Sequence, residues 1–194
     1  MDKIIEVDGK EVKFRATART PRLYRGLLMR DLIQDMNTLA KSYKRVQDAR
    51  KDDPETADNL TIEDLTIFEN AAFVMAKHAN PDMKEKTADE WLDTFGMFSI
   101  WEILPQILDL WRLNNLQTSQ PTKKIAPRDR EPNGAIFMLR CAELGLSTED
   151  LDELTMGMVY DMITEKGNDH EKYDKKAPAG SMAAFFKGEL DLGD

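Results

Sequence analysis

The sequence predicts a mainly α-helical chain opened by an N-terminal β-hairpin, an α+β arrangement, and three observations carry that prediction. IIEV and EVKF flank Asp8-Gly9 close to the start, and this dipeptide favours a two-residue type I′ turn because both central positions need φ > 0. Apolar residues then recur at steps of three and four between recognisable caps. Finally, Pro121, Pro127 and Pro132 fall in a segment with almost no apolar content, where a helix cannot continue. The expected organisation is a hairpin plus helical domain over 1–116, a proline-rich linker over 117–134, a small helical module over 135–167, and a flexible acidic tail with a short apolar end over 168–194.

In the hairpin, Ile5 is expected opposite Val12, with Val7 and Phe14 on the same side of the ribbon. Such a ribbon is marginal alone, so its apolar face lies either on helices of its own chain or on a neighbouring subunit. Thr20-Pro21 reads as N-cap and first helical residue of a long helix running to about Ala49, with the stripe Leu28, Leu32, Met36, Leu39, Tyr43 and Val46. A polar loop around Pro54 follows. Thr61, with Asp64 three residues on, restarts a helix carrying Leu65, Phe68, Ala72, Met75 and Ala79, and Asn80-Pro81 stops it. Thr87 and Glu90 form a capping box ahead of Trp91, Leu92 and Phe95.

Residues 100–116, IWEILPQILDLWRLNNL, hold ten apolar residues in seventeen, spread over more than one helix face. Pro105 is expected to kink or divide this helix. A helix apolar on most sides is either central to its own core or covered by a partner. In the module, Asn133 reads as an N-cap, Gly145 as the residue closing the first helix, and Ser147 with Asp150, then Thr155, as further starts, with Gly167 after the last turn. Phe185 and Phe186 form a short apolar patch in the tail.

Composition narrows the function classes. A hydrophobic fraction of 41% with 32% charged residues is too apolar for a wholly disordered chain. Neither a signal peptide nor a run of about 20 apolar residues is present, and the expected compartment is the cytoplasm. The one cysteine, Cys141, has no partner for a disulfide and reads as packing. Of the net charge of −9, residues 1–124 hold −2 and residues 125–194 hold −7, so a partner of the module should be neutral, basic or bound through apolar contacts.

Familiar catalytic patterns are missing: there is no G-x-S-x-G, phosphate-binding loop, dinucleotide glycine pattern or His-Glu-x-x-His. The chain is read as a non-enzyme without cofactor or metal. His78 lies near a helix end, where the dipole favours it, and His170 reads as solvated. Glu149, Asp150, Asp152 and Glu153 lack the spacing of a calcium loop and read as a solvated face. Lys13, Arg15, Arg19, Arg22, Arg25 and Arg30 occur with no acid between Val12 and Arg30. They give the hairpin exit and first helix turns a positive surface, but few aromatic residues interleave with them, as nucleic-acid binding would require.

Taken together, the hairpin opening, ATARTPRLYRGLLMRDLIQDM, FGMFSIWEILPQILDLW and LRCAELGLSTEDLDELTMGMVYDMITE resemble the tail assembly chaperones of long-tailed phages with Gram-positive hosts, in their longer, frameshift-extended form. The resemblance spans most of the chain, and the order of the segments is more specific than any one of them. It implies a non-enzymatic assembly factor of the host cytoplasm, absent from the mature virion. Two products would share an N-terminus through a programmed ribosomal frameshift near the linker, where Lys123-Lys124 suits an A-rich slippery run. By this resemblance the N-terminal domain coats the tape measure protein, and the extension recruits major tail protein subunits for polymerisation of the tube.

A long helical client needs an escort with an apolar groove and self-association. Trp101, Ile103, Ile107, Leu110 and Trp111 are assigned to the groove. Ile5, Val7, Val12 and Phe14 are assigned to pairing of copies into an oligomer. Contact with the major tail protein is assigned to Leu154, Thr155, Gly157, Val159, Asp161 and Met162, which serve equally well to cap and pack the last helix. Three other readings compete: a helix-turn-helix regulator binding nucleic acid, a generic cytoplasmic adaptor, and an enzyme with an unfamiliar site. The first is disfavoured because its would-be recognition helix carries Asp161 and Glu165.

Overall fold

Asp8 and Gly9, at φ 52° and 71°, close the first element in the computed structural model, which describes residues 1–52, 59–121 and 131–169. Strands β1 (Asp2–Val7) and β2 (Lys10–Arg15) pair antiparallel with Ile5 opposite Val12, the register expected from the turn. Helices α1 (Thr20–Leu28), α2 (Leu32–Asp52), α3 (Ile62–Ala79), α4 (Ala88–Leu92) and α5 (Ile100–Asn114) complete the N-terminal body, and α6 (Gly134–Glu143), α7 (Thr148–Glu153) and α8 (Met156–Asn168) form the C-terminal module. The chain is therefore mainly α with one N-terminal hairpin. Among the described residues, no helix is long and apolar enough to cross a membrane.

The hairpin lies on its own chain: β2 packs on α3 and β1 on α5. Alternation puts Ile5, Val7 and Phe14 on one face, all buried, with Val12 partly buried beside them. Trp91 binds this layer together, its ring lying 6.2 Å from Phe14, 5.2 Å from Phe95 and 5.4 Å from Phe98, each near perpendicular. Edge-to-face contacts of this kind add to the area term.

Three local expectations are corrected. The long helix from Thr20 is divided at Met29, which ends α1 at φ 56°. Asp31 then caps α2, its Oδ1 accepting from the N–H groups of Ile33 and Gln34 at 3.1 and 3.2 Å. The apolar stripe continues through the break, which hides it from a periodicity argument. Thr20 is not the cap of α1, since its Oγ1 accepts from the Thr17 N–H at 2.9 Å. Pro105 lies within a continuous α5: one turn from the start, it forgoes only the bond to the Trp101 carbonyl.

Most capping expectations hold. Thr61 with Asp64 and Ser147 with Asp150 form complete capping boxes, and Asn133 and Thr155 cap α6 and α8 through their side chains. Thr87 accepts from the Glu90 N–H, but the Glu90 carboxylate turns to the Lys86 N–H instead of Thr87. Gly145 stands at φ 74° after α6. Gly167 lies inside the last turn of α8 instead of beyond it. The Pro54 loop, Lys123-Lys124, Pro127, His170 and Phe185-Phe186 lie outside the described residues.

Candidate functional site

The module is not held by the linker alone. Phe137, Cys141, Leu151, Met156 and Val159 are buried in the same apolar cluster as the N-terminal body, and α6 lies against α1 and α2. Among the described residues, the seam between them gathers most of the buried polar side chains and is the best candidate for a functional site.

At one end, the Asp31 carboxylate that caps α2 also receives the Gly134 N–H, at 3.0 and 2.8 Å. One carboxylate thus serves the positive ends of two helices. A β-carbon at Gly134 would stand 3.1 Å from Asp31 Oδ2, so the approach favours glycine. In the middle, the Ala18 and Arg19 N–H groups donate to the carbonyls of Leu154 and Leu151 at 2.8 and 3.0 Å. Asn114 reaches from the end of α5 in two directions, its Nδ2 toward the Thr17 carbonyl at 3.5 Å and its Oδ1 toward the Met156 N–H at 3.4 Å.

Beside Asn114, a chain of donors runs through a buried histidine. The Thr17 N–H donates to Thr20 Oγ1, which stands 3.3 Å from His78 Nδ1, and His78 Nε2 is 2.8 Å from Asp152 Oδ1. With His78 neutral and protonated at Nε2, each link has one donor and one acceptor, which assigns that tautomer. Arg19 pairs with the second Asp152 oxygen. Burial is the main force on the His78 ring and lowers its pKa, against the pull of Asp152. Burial alone would raise the Asp152 carboxyl, but hydrogen bonds from His78 and Arg19 hold it below its ordinary range. These groups edge a cavity of about 280 Å³ floored by Leu23, Leu27, Val74 and Pro81.

The far end of the seam runs along α8. Asp161 accepts from the Thr118 and Ser119 N–H groups at 2.9 to 3.0 Å and from the Thr118 hydroxyl at 2.8 Å. One turn earlier, Gly157 meets the backbone: a β-carbon there would lie 1.8 Å from the Leu116 carbonyl oxygen.

The residues assigned from sequence fall into clear groups. Ile103, Ile107, Leu110 and Trp111 are 8% exposed or less and belong to the core of the body, with Ile103 also bordering a cavity beside β1. Trp101 alone reaches the surface, at 40% exposure, with the Arg50 guanidinium stacked 3.9 Å from its ring centre. Of the hairpin residues assigned to self-association, Ile5, Val7 and Phe14 are occupied within the chain. In the module, Leu154, Thr155, Gly157, Val159 and Asp161 serve the seam, caps or core, whereas Met162 is exposed, as is Met158 one turn before it.

The positive surface is also largely spoken for. Asp2 pairs with Lys13 and Arg15, Asp152 with Arg19, and Asp35 with Arg30. Sequence reasoning set aside Asp152 as a solvated acid and His78 as a dipole effect, and it missed Asp31 and Asn114. The signal for Asp31 was available, an acid directly before LIQD, but a pairing 74 residues apart such as His78 with Asp152 leaves no local trace. Among the described residues, no three His, Cys, Asp or Glu side chains gather to hold a metal ion. Compared with protein-family models, curated proteins and solved structures, the chain matches none.

Proposed function

We propose that this chain is a non-enzymatic tail assembly chaperone, whose N-terminal body escorts the tape measure protein while its C-terminal module recruits major tail protein subunits to the growing tube. The sequence resemblance orders these roles along the chain. The single structural observation that supports the division is that α6–α8 is one separately capped helical unit leaving Leu139, Met158 and Met162 exposed. Methionine side chains are adaptable and polarizable, suited to a protein surface that is met and then released.

On the body, the buried residues of α5 leave another surface for the client. Ile4 and Met97 are 60% and 68% exposed, and both line a cavity of about 550 Å³ between β1 and the first turn of α5. Trp101 lies on that same turn. An amphipathic client helix has the apolar stripe to cover Ile4 and Met97, while the Trp101 ring is stacked on Arg50. The module, carrying the excess of negative charge, would raise the local concentration of tube subunits beside the client without any chemistry.

Co-expression of the full chain with the tube protein from the same gene cluster tests the reading, by affinity capture followed by size exclusion. Retention of the tube protein at low salt, and rescue of soluble tape measure protein in a parallel co-expression, are the expected results. Loss of both would leave the chain as an adaptor of some other complex.

A further inference from the structure

Buried polar residues are unevenly distributed. Among the described residues they are Thr17, Thr20, Asp64, His78, Asn114 and Asn168. Asp64 belongs to the capping box of α3; Thr17, Thr20, His78 and Asn114 stand at the seam, and Asn168 donates through its Nδ2 to the carbonyl of Gln120 in the linker at 3.2 Å. The layer between hairpin and α3 is built instead from Ile5, Val7, Phe14, Phe73 and Trp91.

The two kinds of contact separate differently. A satisfied hydrogen bond is exchanged for bonds to water when it opens, so its net contribution is modest and its main effect is to fix geometry. Polar contacts between parts of one chain open locally at lower cost than an apolar core. The seam also faces a particular way: Leu154 is bound through its carbonyl to Ala18, Gly157 lies on Leu116, and Asp161 holds Thr118 and Ser119. Three of the six residues assigned to the partner, Leu154, Gly157 and Asp161, are thus turned against the body or the start of the linker, while Met162 is exposed.

We infer that α6–α8 is docked in cis over part of its own partner-binding face, and that opening of the seam presents Leu154, Gly157 and Asp161 to a neutral or basic surface of the tube subunit. The identity of that partner rests on the function proposed above; the opening itself does not.

The chain carries its own probes. Cys141 is its one cysteine, buried on α6 with its thiol pushed up to about 11 by burial, while all three tryptophans lie in the body. The experiment labels Cys141 of the full chain with a disulfide reagent in rising denaturant and follows tryptophan fluorescence in parallel. In the wild type, labelling is expected through an opening that precedes the fluorescence transition. In the variant Arg19→Ala with Asp31→Ala, both changes on the body and outside the hidden face, labelling should be at least tenfold faster and capture of the tube protein severalfold greater. Labelling of the wild type only through the global transition overturns the inference, whether or not the variant folds. So does a wild type that captures the tube protein as well as a variant whose seam is open. If labelling shows the opening but neither protein captures the tube subunit, the opening is supported and the proposed function fails.

Discussion

The hairpin layer and the module seam are both buried, yet hydrogen bonds carry a larger part of the second, beside the Phe137, Cys141, Leu151, Met156 and Val159 that join the shared apolar cluster. Around Trp91, rings and branched side chains meet without regard to hydrogen-bond direction, and stability there scales with apolar area. Along the seam, Asp31, Asn114, His78, Asp152 and Asp161 each satisfy particular groups across the contact. Apolar burial makes the body a cooperative unit, whereas the directional seam fixes where the module sits at a lower cost of separation. The contrast gives the module a defined resting position on the body.

The sharpest way to break the contrast is at its apolar pole. Trp91→Ala removes the ring shared by Phe14, Phe73, Phe95 and Phe98 and should cost about 3–5 kcal/mol. Denaturant unfolding should show hairpin and helices failing together, and a loss below about 1 kcal/mol would mean that the layer is not the stabilising core.

A smaller effect is expected at the other pole. Gly157→Ala places a methyl group against the Leu116 carbonyl, and displacing backbone costs about 1–3 kcal/mol. Here the loss should appear as faster Cys141 labelling and proteolysis of the module, with the tryptophan fluorescence transition little moved. A transition displaced as far as the labelling would show that the two regions are one unit.

Acid should act on the seam as well. His78 is faced by Asp152 from α7, by Arg19 ahead of α1, by Arg15 at the end of β2 and by Lys77 on its own helix. Because its folded pKa lies below the ordinary 6.5, the folded chain binds fewer protons than the unfolded one. Its contribution is therefore complete above about pH 6.5 and is lost as the pH falls through that value toward the folded pKa. Asp152, also lowered, adds a second loss below 3.8. Urea titrations between pH 5 and 8 should show the first loss in the wild type and its absence in His78→Asn; stability rising toward pH 5 would reverse the sign of the account.

Trp101→Ala should matter least for folding. The ring is part exposed, and its contact with Arg50 is worth about 0.5–1 kcal/mol. Thermal melts should barely shift, while soluble yield of co-expressed tape measure protein should fall. An unchanged yield would remove Trp101 from the client surface.

What was legible in the sequence follows the same division. Asp8-Gly9, Thr61-Asp64, Ser147-Asp150 and Asn133 act within a few residues of themselves, so turn and cap chemistry could be read directly. The break at Asp31 was masked because Leu28, Leu32 and Met36 keep the helical period across it. Apolarity in α5 was evident, but direction was not: Trp111 turns into the core and Trp101 out of it. The seam was the least legible part, since Ala18 with Leu154 and Asn114 with Met156 are joined only by the fold, and proline content spoke for separation of the module without indicating where it rests.

Hydrogen exchange on the wild-type chain, resolved by residue, tests the distinction most directly. The amides of Ala18, Arg19, Gly134 and Thr118 donate across the seam, and those of β1, β2 and α3 lie in the body. The account predicts that the seam amides exchange through an opening of lower free energy, at least tenfold faster, while the body amides remain protected until global unfolding. Exchange of both sets at the free energy of global unfolding would contradict it, making the module a fixed part of a single core.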